Sequence, residues 1–361
     1  MAESGGGDAG AKDTAASPNV DIMIAGEEAS DDHFQSYVVD CDMFQPDMAS
    51  IVLANQGDVY STKKVGDSIE VKVGNDKTSV FKGEIVGLEP VYKGGEKTVM
   101  LIRAMNKLHR LLRKRKSITF TDKTDQQILN QVVGDAGLTL EWKHEASIQY
   151  KHVYQHNLTD LEFLRTRAAR MGCHVWCVDT KVYCKQPELQ AGPIATLNVD
   201  QAADAILHRL APRLNSSAIL KKVTVKGWNP ETKELITGDA SVQSSKLGSQ
   251  TSVAGSGSLG EEESFTVDHP IWSAEEAKAL AKARLQDASL SYITGEAEVA
   301  GNPKFVLGKV VKVVANAMNK ADPFNGNYYL MGVTHRHIAS KAKDGGGYVT
   351  ILRFARDAQK E

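Results

Sequence analysis

Four cysteines and three histidine groupings are the residues of this chain whose types and spacing could do chemistry. Cys173, His174, Cys177 and Cys184 lie close together, and Cys-x3-Cys is compatible with zinc. A structural zinc site wants a second ligand pair at defined spacing, and none follows. The expectation is therefore reduced thiols acting as small apolar side chains, with Cys177 and Cys184 facing each other or the core near Trp176. Cys41 is expected to be reduced too, since no export signal is recognisable. His335-x-His337 falls on a strand pattern beginning at Tyr328, which places both imidazoles on one face, but no third ligand lies at a suggestive distance. His152 and His156 are four apart with no helix predicted and no Glu between them, unlike the H-E-x-x-H arrangement. No metal and no cofactor is expected. Nucleophile elbows, Walker loops and dinucleotide fingerprints are also missing, so nothing in the residues argues for an enzyme.

Arg103 to Lys116 carries seven Lys/Arg and no acid. Clustered cations release counterions from nucleic acid, which gives one functional reading. Against it, no aromatic residues are interleaved for base stacking, and Leu108, Leu111 and Leu112 recur at helical spacing. The stretch is better read as a solvated face or one that meets acids of a neighbouring subunit. Arg110, Arg113, Lys114 and Arg115 are the candidate inter-subunit or polyanion contacts. The whole chain has 361 residues and a net charge of −2, so it carries no polyanion-seeking field. No apolar run approaches the ~18 residues of a membrane span, and no membrane insertion is expected.

The elements that position these residues are mostly strands. Residues 1–19 are small, polar and glycine-rich, without the basic and apolar regions of a signal peptide, and predict a disordered leader. Asp21–Ile24, Ser36–Val39 and Ser50–Leu53 follow as strands. A β pattern then appears twice. The first copy runs from Gly66-Asp67 through Ile69, Val71 and Val73, Phe81-x-Gly83 and Gly94-Gly95 to Leu101-Ile102-Arg103-Ala104. The second runs from Gly308 through Val311 and Val313, Phe324-x-Gly326 and Gly345-Gly346-Gly347 to Ile351-Leu352-Arg353-Phe354-Ala355. Strict alternation marks half-buried strands and the glycines mark turns, so residues 66–104 and 308–355 are expected to fold as superposable β units.

Between the copies, Thr124/Gln127 and Thr159/Glu162 are capping boxes, the second opening a helix with Leu161, Leu164, Ala168 and Met171 on one face and Gly172 as its stop. A hairpin through Trp176 and Tyr183 follows, with Trp176 expected in the same core. Ile219 to Gly227 is a further strand. Residues 241–260, with seven serines and four glycines, predict a flexible loop. Ser273/Glu276 predicts a third box and a helix over 273–289. The fold class is α+β, predominantly β. It comprises a first tube-like antiparallel barrel over 20–104, an α+β insert over 105–190 and a second barrel over 191–361.

These segments resemble a known family. Leu158 to Leu164, with Leu161 and Phe163, then Met171-Gly172, Trp176 and Val182-Tyr183, resemble the late control D signature of contractile-phage tail hubs. Gly66-Asp67, Phe81 and Gly83 resemble that family's first barrel. Gly301-x-Pro303, Gly308, Gly326-x-Tyr328 and His335 resemble its second. The resemblance implies a baseplate hub, similar also to the N-terminal part of type VI spike proteins. In such a hub three chains form a ring whose six barrels join a sixfold inner tube to a threefold spike. It further implies a homotrimer, contacts with other baseplate proteins, and a bacterial cytoplasmic protein assembled into a releasable tail-like particle or a virion. The chain ends at Glu361 without a spike-type barrel, so a separate spike protein is expected. The competing readings are a baseplate-associated cell-wall hydrolase and a nucleic-acid-binding module using residues 103–116.

Overall fold

The computed structural model describes residues 18–92, 98–199, 205–217, 219–242, 244, 245, 247–257, 261–267, 270–339 and 346–360. Of the expected leader, only Pro18 and Asn19 fall among them. The amino-terminal segment holds β1 (Val20–Ile24), β2 (Glu27–Glu28), β3 (Phe34–Asp42), β4 (Met48–Ala54), β5 (Ser68–Val73), β6 (Thr78–Val91) and β7 (Val99–Met105). The middle segment holds β8 (Arg115–Thr124), α1 (Asp125–Gly134), β9 (Thr139–Lys143), β10 (Gln149–Thr159), α2 (Asp160–Arg170), β11 (His174–Val178) and β12 (Lys181–Lys185). The carboxy-terminal segment begins with β13 (Thr196–Asn198), β14 (Ala205–Leu214), β15 (Leu220–Asn229), β16 (Glu234–Ser241), β17 (Gln250–Thr251) and α3 (Ser252–Gly255). It continues through β18 (Glu261–Thr266), α4 (Ala274–Leu290), β19 (Ile293–Ala300), β20 (Val310–Val314), β21 (Gly326–Ile338), β22 (Gly347–Arg356) and β23 (Ala358–Gln359).

Alternation decides the strands: in β5, Ile69, Val71 and Val73 are buried while Ser68 is exposed and Glu70 and Lys72 half-buried. The two repeated segments become antiparallel meanders, β5-β6-β7 and β20-β21-β22. Each extends to six strands, ordered β1-β5-β6-β7-β4-β3 and β13-β20-β21-β22-β19-β14. In chain order both read first, fourth, fifth, sixth, third, second. The carboxy-terminal set closes on itself, because β13 also pairs with β14. The amino-terminal set stays open among the described pairings. Its β1 runs antiparallel to β5, whereas β13 runs parallel to β20.

Irregularities repeat as well. Bulges fall at Ile85/Gly87 against β7 and at Leu330/Gly332 against β22, and again at Phe34/Ser36 against β4 and Leu207/Arg209 against β19. Gly66 (φ 97°) and Gly308 (φ 76°) both take the left-handed conformation. The Gly66 N–H donates to the Ile85 carbonyl at 2.8 Å, and the Gly308 N–H donates to the Leu330 carbonyl at 3.1 Å. The F-x-G segments do not correspond in this way. Gly83 pairs with Ile69, three residues after Gly66, but Gly326 pairs with Val313, five after Gly308. Phe324 precedes its strand. The equivalence that survives at the far end is Arg103 opposite Gly87 and Arg353 opposite Gly332.

In the middle segment both capping boxes form reciprocally, at Thr124/Gln127 and Thr159/Glu162. Leu161, Phe163, Leu164, Ala168 and Met171 pack with Ile128, Leu129, Val175, Cys177, Val182 and Cys184 in one core. Trp176 is not in that core. Alternation along β11 sends Val175 and Cys177 inward, so Trp176 emerges on the other face, stacks on Tyr183 at 5.1 Å and packs against the carboxy-terminal core.

Residues 215–292 connect β14 to β19 and add the sheet β16-β15-β18 with α4 across it. Ser273 caps α4 by accepting from Glu276 N–H, but the Glu276 carboxylate accepts from Trp272 N–H and pairs with Arg170, so the third box is not reciprocal. The segment 241–260, expected to be flexible, is tied down over its described part. β17 pairs with β23, Leu247 is buried, and Ser245 Oγ donates to Asp357. The tie is Arg356. Its fully buried guanidinium donates to the carbonyls of Leu247, Pro323, Asn325 and Lys360 and lies 5.2 Å from the Tyr328 ring.

Candidate functional site at the seam between the two sheets

Strand β3 of the amino-terminal set pairs antiparallel with β21 of the carboxy-terminal set, from Gly332↔Asp42 to Ile338↔Ser36. This seam joins the two six-stranded units, with β2 at the outer edge of β1, into one thirteen-stranded sheet. It is possible because β21 is longer than its partner β20. Gly326 to Tyr329 pair with β20, and the rest of that edge is left for β3.

One end of the seam is ionic. Arg353 pairs with Asp40 at 2.9 Å and with Asp42 at 3.0 Å, and Thr334 Oγ1 donates to Asp40 at 2.7 Å. Behind them Asp47 accepts from Asp42 N–H at 3.2 Å, and burial pushes its carboxyl up to about 7. Burial, then the charges of Asp47 and Asp40, raise the Cys41 thiol well above its usual range.

The other end is aromatic. Phe34, Tyr37, His337 and Tyr348 pack ring against ring, and the Tyr348 hydroxyl lies 2.8 Å from His335 Nδ1. Burial lowers both His335 and His337 to about 4, so each imidazole is neutral at physiological pH. Beside the seam a cleft of about 610 Å³ is lined by residues of all three segments, among them Lys82, Trp176, Tyr183, Pro303, Phe305 and Gly308. Cys177 lines it as well, and burial pushes that thiol up to about 12, which leaves it un-ionised at neutral pH. Among the described residues no group of three or more His, Cys, Asp or Glu could hold a metal. Nor is any described helix long and apolar enough to cross a membrane.

The remaining predicted residues take structural positions. Phe81 is buried in the amino-terminal core, and a side chain at Gly83 would strike the Met105 backbone. Asp67 accepts from Lys64 N–H at 2.8 Å. Gly172 (φ 64°) ends α2 against Ala283 of α4. Gly301 lies under the Tyr348 ring, Gly326 under the Arg356 guanidinium, and Tyr328 donates to the Phe324 carbonyl.

The basic stretch changes most. It forms a 3-10 turn over Lys107–Leu112, with Leu112 exposed, and then enters β8, so the helical spacing was misleading. Its cations meet acids of their own chain: Arg103 with Glu89, Lys107 with Asp179, Arg110 with Glu84, Arg115 with Glu162 and Lys116 with Asp160. Arg113 and Lys114 are exposed without an ion-pair partner among the described residues. Sequence reading missed the Arg353–Asp40–Asp42 cluster and the buried Arg356, whose partners, the Lys360 carbonyl apart, are distant in the chain.

A family model described as the Alg8 N-terminal domain matches residues 21–339. Among curated proteins none matches the chain. Solved structures do. The tail protein from Neisseria meningitidis MC58 has a TM-score of 0.71 at 16% identity, over 94% of this chain and 97% of that one. The prophage MuSo2 43 kDa tail protein from Shewanella oneidensis has a TM-score of 0.70 at 12% identity, over 94% and 99%. The E. coli c3393 protein, described as a type VI secretion component with structural similarity to the T4 tail proteins gp27 and gp5, has a TM-score of 0.62 at 11% identity, over 94% and 79%. At such identities the likeness is one of fold: this chain has the predominantly β fold of phage-tail and type VI secretion proteins.

Proposed function

The chain belongs to the family of the Alg8 N-terminal domain, and from that premise and its tail-protein fold we propose that it is a structural baseplate hub of a contractile injection system or phage tail. The observation that carries the reading is the seam, where two six-stranded units of one strand order are joined edge to edge within one chain. Three such chains, closed in a ring, present six similar units. This lets a threefold assembly meet a sixfold inner tube on one face and a threefold spike on the other. The resemblance to late control D hubs points the same way. So do the similar solved structures, which are of tail and secretion components.

The nucleic-acid reading loses its support, since five of the seven cations in residues 103–116 are engaged by acids of the same chain. A hydrolase would need an activated nucleophile, and the two thiols that line the cleft, Cys41 and Cys177, are held in their protonated form. The test is deletion of this protein in its native system. Particles should fail to assemble a baseplate with tube and spike attached, and complete contractile particles in the deletion strain would remove the proposal.

A further inference from the structure

Equivalent positions of the two units can be matched rung by rung, because their bulges coincide. Ile85, Gly87 and Glu89 of β6 correspond to Leu330, Gly332 and Thr334 of β21. Phe34, Tyr37 and Asp40 of β3 correspond to Leu207, Leu210 and Arg213 of β14. In the seam, the β21 edge beyond Leu330 receives β3. The matching edge of β6 beyond Ile85 has no partner strand among the described residues: β5 pairs only as far as Glu84, and β7 occupies the other side. On β14 the edge from Leu207 to Leu214 is likewise open among the described residues, since β13 reaches only Ala205 and Ile206. Each chain thus shows half of a second seam at either end.

We propose that β14 of one copy lies antiparallel along the free edge of β6 in the next copy, in the register of the internal seam, with Arg213 opposite Glu89. The proposal rests on the ring reading above and names its subunit interface. The charges support this register. Inside the chain an acid on β3, Asp40, meets Thr334 and Arg353. In the second seam the corresponding positions are Arg213, Glu89 and Arg103, so the basic residue moves to the incoming strand and the acid to the receiving edge. Arg213 is exposed and has no acidic partner among the described residues, while Glu89 is half exposed and holds only Arg103. Tyr92 is 72% exposed and corresponds to His337, whose partner Tyr37 corresponds to Leu210. Covering Tyr92 with Leu210 would repeat the aromatic end of the seam. Pro90 and Pro212 fall opposite each other, so that rung lacks both N–H donors. The edges therefore pair weakly unless the charges select the partner.

The test uses the full chain carrying both Glu89→Cys and Arg213→Cys. Mild oxidation with a copper–phenanthroline oxidant, which accepts the two electrons as two thiols lose their protons, should give a covalent trimer under denaturing conditions. Neither single variant should cross-link. Separately, Arg213→Glu should weaken self-association by about tenfold or more, and adding Glu89→Arg should restore it. A trimer by native mass that neither cross-links at these positions nor responds to Arg213→Glu would overturn the edge assignment and leave the ring reading standing. Cross-linked chains longer than three would keep the edge pairing and overturn ring closure. A chain that remains monomeric and uncross-linked at all concentrations would remove both.

Discussion

The two six-stranded units share strand order, bulge positions and an arginine on the last strand, yet they spend the intervening chain differently. Between their second and third strands the amino-terminal unit has only Met43–Asp47, whereas the carboxy-terminal unit inserts residues 215–292. Their closing strands run in opposite directions, and only the carboxy-terminal set of pairings returns on itself. What is held in common is the part that sets an edge: the left-handed glycine, the bulge after it, and the long strand that outruns its hairpin partner. What differs is the part that faces elsewhere. Duplication therefore conserves the geometry by which units join and leaves the connections free to vary.

The largest expected effects concern what each unit does with its last buried polar side chain. By rung, Arg356 corresponds to Asn106, which is also buried and is met by the Leu108 N–H and the Cys177 carbonyl. Arg356→Met should destabilise the protein by about 3–5 kcal/mol, because several buried carbonyls lose their donor at once. Amide exchange should rise first in residues 247–257. A loss below ~1 kcal/mol in urea unfolding would mean that the strap holds without it. Leu164→Ala should cost about 2–5 kcal/mol through the cavity left in the insert core. Trp176→Ala should cost less for the insert itself and instead loosen its packing on the carboxy-terminal unit, read as protease sensitivity of the connection near Gln186.

What was legible in the sequence was local. Capping boxes at Thr124 and Thr159 depend on residues three apart, and strand alternation depends on neighbours two apart, so both could be read directly. The helix face of Leu161 and Leu164 followed from the same logic. The fate of Trp176 did not, because which face of β11 turns inward is decided by packing against other segments. Likewise Arg110 and Lys107 find their acids 26 and 72 residues away in the chain. A run of cations without acids looked like a free patch for that reason alone. The serine- and glycine-rich composition of 241–260 said nothing of Arg356, the side chain that immobilises its described part. The F-x-G spacing misled in the opposite sense, since separations of 15 and 16 residues in sequence crossed a different ladder register.

The seam and the free edge should also differ in acid. His335 and His337 have folded values of about 4 against an unfolded value of ~6.5, so the unfolded chain takes up protons first. Their contribution is complete above ~6.5 and is lost as pH falls toward ~4, at up to about 3 kcal/mol each. Asp47, held at about 7, works in the other direction, gaining stability as pH falls from ~7 to ~4. A difference measurement separates them. His337→Phe keeps a ring among Phe34, Tyr37 and Tyr348 and leaves Asp47 alone, so its stability should fall less steeply than that of the unsubstituted protein between pH 6.5 and 4. Equal slopes would show that His337 protonates without disturbing the seam.

The smallest effect is the sharpest comparison, since Arg353 and Arg103 hold matching rungs. Arg353 is shared by Asp40 and Asp42 across a completed seam, and its removal leaves two carboxylates facing each other. Arg353→Ala should therefore cost about 1 kcal/mol even in a single chain, partly screened at high salt. Arg103 pairs with Glu89 on an open surface, where an ion pair contributes little. Arg103→Ala should leave the stability of one chain within experimental error. If the two units are equivalent in assembly as well as in topology, that substitution should nevertheless strengthen association between chains, because Glu89 is then left to the incoming Arg213 without a competing cation. Equal losses of single-chain stability for both variants would contradict the difference between a filled edge and an open one.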